Sequence, residues 1–159
     1  MPPSAEPLKA KADTAFRNGA AAEAAKLYGE ALAAGDSDKP VILYANRSAA
    51  LLKTGDVAGA AADALACVRL DASYTKGFYR LGAALLKAGW LLQALSAFEA
   101  GEKAAKTPAA AAEMAAGAAE VRIPPDAPAS SAAGGVRDGP GPLARCRVRQ
   151  GFSRRCALI

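Results

Sequence analysis

The chain has 159 residues, with 20 Lys plus Arg, 15 Asp plus Glu, no His and a formal charge of +5. That length supports one small domain and a tail. The missing His excludes Ser-His-Asp and Cys-His catalysis, imidazole metal sites and histidine pH switching. Three cysteines (Cys67, Cys146, Cys156) are too few and too unevenly spaced for a disulfide framework, which points to a reducing compartment. The whole charge excess lies at one end. Residues 121–159 hold seven Arg against two Asp, while residues 1–120 hold 13 basic and 13 acidic residues.

The N-terminal stretch MPPSAEPLKAKAD lacks an apolar core behind a basic start, so it does not read as a secretion signal. From residue 5 the chain is rich in Ala, Leu, Lys and Glu, all strong helix formers, and it repeats. Gly19, Gly55 and Gly89 stand 36 and then 34 residues apart. Ala24, Ala60 and Ala94 keep those spacings, as do Tyr28, Ala64 and Phe98, and Ala31, Cys67 and Gly101. Upstream, Phe16, Leu52 and Leu86 fall in register, and so do the small residues Ala12, Ser48 and Gly82. The spacing predicts an all-α domain over 5–121, with repeats at about 5–38, 39–72 and 73–106.

Each unit reads as two helices about a glycine turn. In the third, Phe78, Leu81 and Leu85 mark one helical face, Gly89 breaks it, and Leu91, Leu95 and Phe98 mark the next. About 34 residues accommodate two helices of roughly 14 residues, ~20 Å each. Small residues at fixed columns let a neighbour's Tyr or Phe fill the gap between close helices. The two extra residues of the first unit fall in GDSDKP, before Pro40 at the first turn of the next helix. Trp90 is expected to pack between repeats, Tyr44 in the core and Arg47 on the rim. Cys67 is expected to be a small, buried and inert thiol.

Stacked repeats need a terminal cap. Residues 107–121 supply it, with Thr107 as N-cap and Pro108 at the first helical position of an Ala-rich, weakly held helix. Residues 122–143, rich in Pro, Gly and Ser, read as a disordered linker, since they cannot bury enough surface to offset ordering entropy. No apolar stretch is long enough for a membrane span, so a cytoplasmic protein is expected.

Residues 144–159 form a basic tail ending Cys156-Ala157-Leu158-Ile159, the form of a C-a-a-X box. The tail predicts prenylation at Cys156, and the terminal Ile favours geranylgeranyl over farnesyl. One lipid anchors only marginally, and five Arg between 145 and 155 would add attraction to an anionic membrane surface. Cys146, between Arg145 and Arg147, is a weaker palmitate acceptor. Together these predict a peripheral position on a cytosolic membrane face. Only Phe152 interleaves the arginines, so nucleic acid is a poorly supported partner.

The period and columns over residues 8–105 resemble the tetratricopeptide repeat family. The resemblance implies a right-handed superhelix whose first helix in every pair lines a concave face. LYANRSAALLKTGD followed by YTKGFYRLGAALL is similar to the carboxylate-clamp class found in co-chaperones. That class binds the acidic C-terminal Glu-Glu-Val-Asp of cytosolic heat-shock chaperones. Carried over position by position, its clamp falls on Lys9, Asn46, Lys76 and Arg80. The fifth position is Asp13, where the family has Asn. An ionised Asp accepts hydrogen bonds but cannot donate them, so weaker binding, a shifted ligand preference or no chaperone binding can each follow. The expected function is therefore an adaptor for a chaperone tail or another acidic C-terminal peptide. The alternatives are a general protein-interaction scaffold and a nucleic-acid-associated protein acting through the Arg-rich tail. No nucleophile, base and orienting group converge, so no enzyme activity, cofactor or metal is expected.

Overall fold

A computed structural model describes residues 4–121. They form seven α-helices and no strand: α1 (Ala5–Arg17), α2 (Ala21–Ala34), α3 (Pro40–Thr54), α4 (Val57–Leu70), α5 (Thr75–Lys87), α6 (Leu91–Ala104) and α7 (Pro108–Glu120). Consecutive helices pack on one another throughout, and α5 also touches α3 and α7. The result is a layered stack of hairpins. The linker expected over 122–143, the tail over 144–159 and its lipidation candidates Cys146 and Cys156 lie outside the described residues. No helix among the described residues is long and apolar enough to cross a membrane.

The three within-repeat turns are copies of one another. Gly19, Gly55 and Gly89 all have φ between 81° and 88°, a left-handed backbone that a Cβ would oppose. In the first turn the Gly19 N–H donates to the Phe16 carbonyl at 3.2 Å and the Ala20 N–H to the Ala15 carbonyl at 2.9 Å. The same pair of bonds recurs from Gly55 and Asp56 to Leu52 and Leu51, and from Gly89 and Trp90 to Leu86 and Leu85. This double bond is the Schellman closure, which satisfies carbonyls that a helix end leaves open. It explains why the glycine column repeats, whereas Phe16, Leu52 and Leu86 repeat because each packs its side chain against a buried cluster.

The small columns make room for aromatics. A Cβ added at Gly82 would stand 2.6 Å from Phe98 Cε1, and one added at Gly117 would also meet the Phe98 ring. Phe98 on α6 is therefore held between α5 and α7, each of which presents a glycine to it. Tyr79 meets it edge-on, with ring centroids 5.9 Å apart. Met114 of α7 is fully buried in the same cluster, so the Ala-rich cap is fastened mainly by one large side chain. Thr107 caps α7 as its hydroxyl accepts from the Ala110 N–H at 3.2 Å, with Pro108 next in line.

The extra residues between α2 and α3 have a local role. Gly35 ends α2 at φ 73°, and Asp36 then accepts the Ala5 N–H at 2.8 Å through Oδ1. An open donor at the start of α1 is thereby satisfied from 31 residues away. Trp90 departs from expectation: it caps the start of α6 and remains 39 % exposed. Cys67 is fully buried, with burial pushing its thiol pKa up to about 11. A thiol in that state is inert at neutral pH.

Candidate functional site

Two of the five predicted site residues lie on α1, one on α3 and two on α5, the first helices of the three hairpins. Lys9 and Asp13 are one turn apart, and the Lys9 Nζ donates to Asp13 Oδ2 at 3.1 Å. Asn46 reaches the same carboxylate from α3, its Nδ2 donating to Asp13 Oδ1 at 3.3 Å. Lys9, Asp13 and Asn46 therefore form one group that bridges α1 and α3. All three are partly exposed, so the group lies at the surface rather than in the core.

A fourth member was not among the predicted site residues. The Tyr28 hydroxyl donates to Asp13 Oδ1 at 2.5 Å from α2, although Tyr28 itself is only 2 % exposed. Its ring is core and its hydroxyl is part of the site. The available signal was its place in a column where Ala64 and Phe98 carry no polar atom. Buried tyrosines generally find a partner for the O–H.

These donors fix the charge of Asp13. Partial burial alone would raise its pKa, but the hydrogen bonds from Tyr28 and Lys9, with the charges of Lys9 and Arg17, bring it below its ordinary value of 3.8. Tyr28 is shifted the other way. Burial, the hydrogen bond to Asp13 and the Asp13 charge all raise the tyrosine pKa, opposed only by Asn46. At neutral pH the pair is a carboxylate receiving a neutral phenol.

On α5 the two cations are arranged differently. Lys76 is exposed and takes part in no ion pair among the described residues. Arg80, partly buried, lies 5.8 Å from the centre of the Tyr79 ring, and its charge is felt by Tyr74 just before the helix. Neither forms an ion pair with Asp13. The site thus has one half whose donors are engaged by a carboxylate of the chain itself, and another half with two cations that have no ion-pair partner among the described residues.

Arg47, expected on the rim, has a structural task instead. Its guanidinium grips Asp63 of α4 through two bonds of 2.6 Å and lies 5.6 Å from the centre of the Tyr44 ring. Asp63 is 5 % exposed and Arg47 considerably more, so the pair closes the α3–α4 seam from the side. Tyr44, expected in the core, is only half-buried beneath it.

Seven helices in paired antiparallel layers, with left-handed glycines at a repeating column and small residues facing aromatics, give the described residues the fold of tetratricopeptide repeat domains. The chain is 40 % identical over 97 residues to the Hsp70-Hsp90 organizing protein of Triticum aestivum, an alignment covering 61 % of this chain and 16 % of that protein. It spans only about a sixth of the wheat relative. Among solved structures, the second tetratricopeptide domain of human RPAP3 in complex with the HSP70 peptide SGPTIEEVD is 29 % identical, with a TM-score of 0.59 over 69 % of this chain and 91 % of that one. The first such domain of Spaghetti (RPAP3), bound to the HSP90 peptide SRMEEVD, is 27 % identical with a TM-score of 0.62, covering 73 % and 91 %. No family model matches the chain.

Proposed function

We propose that the face formed by α1, α3 and α5 binds the acidic C-terminal peptide of a heat-shock chaperone, which makes the protein a chaperone adaptor. The observation that carries this reading is the pair Lys76 and Arg80. They stand one turn apart on α5 with no carboxylate against either among the described residues. Like charges at i and i+4 disfavour one another by a few tenths of a kcal/mol, and an anionic ligand relieves that cost. Lys9 and Asn46 on the neighbouring first helices complete the set. The similar domains solved with peptides ending in EEVD support the ligand class.

The test is a titration of the full chain with a fluorescent peptide ending in Glu-Glu-Val-Asp. Arg80→Ala is expected to weaken binding about tenfold or more and Lys76→Ala somewhat less, because a partly desolvated guanidinium contributes more than an exposed ammonium. Absence of binding would assign the domain to a general interaction scaffold instead, and unchanged affinity in both variants would remove Lys76 and Arg80 from the site.

A further inference from the structure

The charged residues of the site on α1 and α5 are not equivalent. Lys9 Nζ lies 3.1 Å from Asp13 Oδ2, at the surface, with 28 % and 34 % of the two side chains exposed. Lys76 and Arg80 have no ion-pair partner among the described residues. As formal charges, Lys9 and Asp13 cancel, whereas Lys76 and Arg80 add to +2. Arg17, whose charge also reaches Asp13, turns its guanidinium to the Asp13 carbonyl and the Thr14 hydroxyl.

Exposed Lys–Asp pairs are weak, so the ammonium can swing away from its carboxylate. Asp13 cannot follow it. Its Oδ1 takes the Tyr28 hydroxyl from α2 at 2.5 Å and the Asn46 amide from α3 at 3.3 Å, which ties the carboxylate to two neighbouring helices. Tyr28 is itself buried in the core. A Lys9 turned toward an anion would leave a fixed negative charge one turn away on the same helix. That charge offsets what the ammonium gains.

We propose that Lys9 and Asp13 act on an acidic ligand as one neutral unit, so that among the site residues only Lys76 and Arg80 attract the peptide by charge. This rests on the reading of the groove as an acidic-peptide site. Lys9 and Asn46 then join that site as hydrogen-bond donors. An ammonium has three N–H groups and an amide two, and Asp13 takes one from each. With Asp at position 13, charge recognition narrows from two helices to one.

A fluorescent peptide ending in Glu-Glu-Val-Asp is titrated into the full native chain, into Lys9→Gln, into Asp13→Asn and into the variant carrying both, with circular dichroism to verify folding. The single variants are expected to move affinity in opposite directions by about three- to tenfold, weaker for Lys9→Gln and tighter for Asp13→Asn. In the double variant the two changes cancel, leaving affinity within about twofold of the native chain. Both single effects should shrink as salt rises from about 0.1 to 1 M, over which the screening length falls from ~10 to ~3 Å. A double variant that binds as weakly as Lys76→Ala, while the native chain binds, makes Lys9 an attracting cation in its own right. That result overturns the neutral pair and leaves the groove reading standing. Should the variants at position 13 fail to fold, Lys76→Gln combined with Arg80→Gln decides: loss of the salt dependence supports the proposal, and affinity that still rises as salt falls overturns it. Failure of the native chain to bind overturns the groove reading and this inference with it.

Discussion

Tyr28 in the first repeat and Phe98 in the third stand at the same position of the period, yet the two repeats use them differently. Phe98 is closed in on both sides by glycines, Gly82 of α5 and Gly117 of α7, and does nothing but fill space. Tyr28 is equally buried, but its hydroxyl emerges on the groove side and holds Asp13. The second repeat has Ala64 there, and the adjacent Asp63 takes Arg47 in a two-bond ion pair across the seam. One column thus meets two needs, cap attachment and site charge, and the position beside it meets a third, seam closure. A repeat enforces backbone and volume, and leaves polar atoms free to differ.

The largest way to break this comparison is at Phe98. Phe98→Ala should cost about 3–5 kcal/mol, since two glycines facing the ring leave no side chain to collapse into the void. Total stabilities of small domains run to only about 5–15 kcal/mol, so the shift in urea midpoint will be large. The loss should be greatest at α7, whose Met114 shares that cluster, and amide exchange of residues 108–120 is the local readout. A variant as stable as the parent would show that the cap does not depend on this ring. The second repeat comes next. Asp63→Ala strands the Arg47 guanidinium, and about 2–3 kcal/mol is expected, below the fully buried case because Arg47 retains 27 % side-chain exposure. A cost under 1 kcal/mol would mean that water serves Arg47 as well as Asp63 does.

The period was legible because turns and close helix contacts demand glycine and small residues at fixed places, whatever the neighbours do. Helix order and turns follow from that, and Pro40 and the Thr107–Pro108 start of the cap follow from the residue preferences of helix starts. Contacts between columns were not legible. Asp36 capping α1, Arg47 gripping Asp63 and Tyr28 reaching Asp13 span 31, 16 and 15 residues. Each depends on how helices cross, which no periodic pattern encodes. Placement of Lys9, Asp13 and Asn46 on first helices followed from the family pattern, whereas their convergence on one carboxylate required coordinates. Trp90 shows the converse: a large apolar residue suggested packing, and at the start of a helix it remains 39 % exposed.

The smallest and most selective change separates the two aromatics by one oxygen. Tyr28→Phe turns the first repeat's residue into the third's and removes a hydrogen bond to a charged group, with an expected cost of about 1–2 kcal/mol. The pH dependence distinguishes this from a packing defect. The Asp13 pKa is depressed in the fold, so its stabilisation is present above its ordinary value of 3.8 and is lost as pH falls through the lower folded value. Tyr28 has a raised pKa, so its contribution is present below its ordinary value of 10 and is lost as pH rises toward the folded one. Tyr28→Phe should therefore flatten both limbs of the stability profile, the alkaline limb because the titrating group is gone, and the acid limb because Asp13 loses one of the bonds that hold it ionised. Urea midpoints from pH 3 to pH 11 read both limbs. A uniform drop with the parent's profile would mean that the hydroxyl contributes packing alone, and that Lys9 and Asn46 hold Asp13 ionised without it.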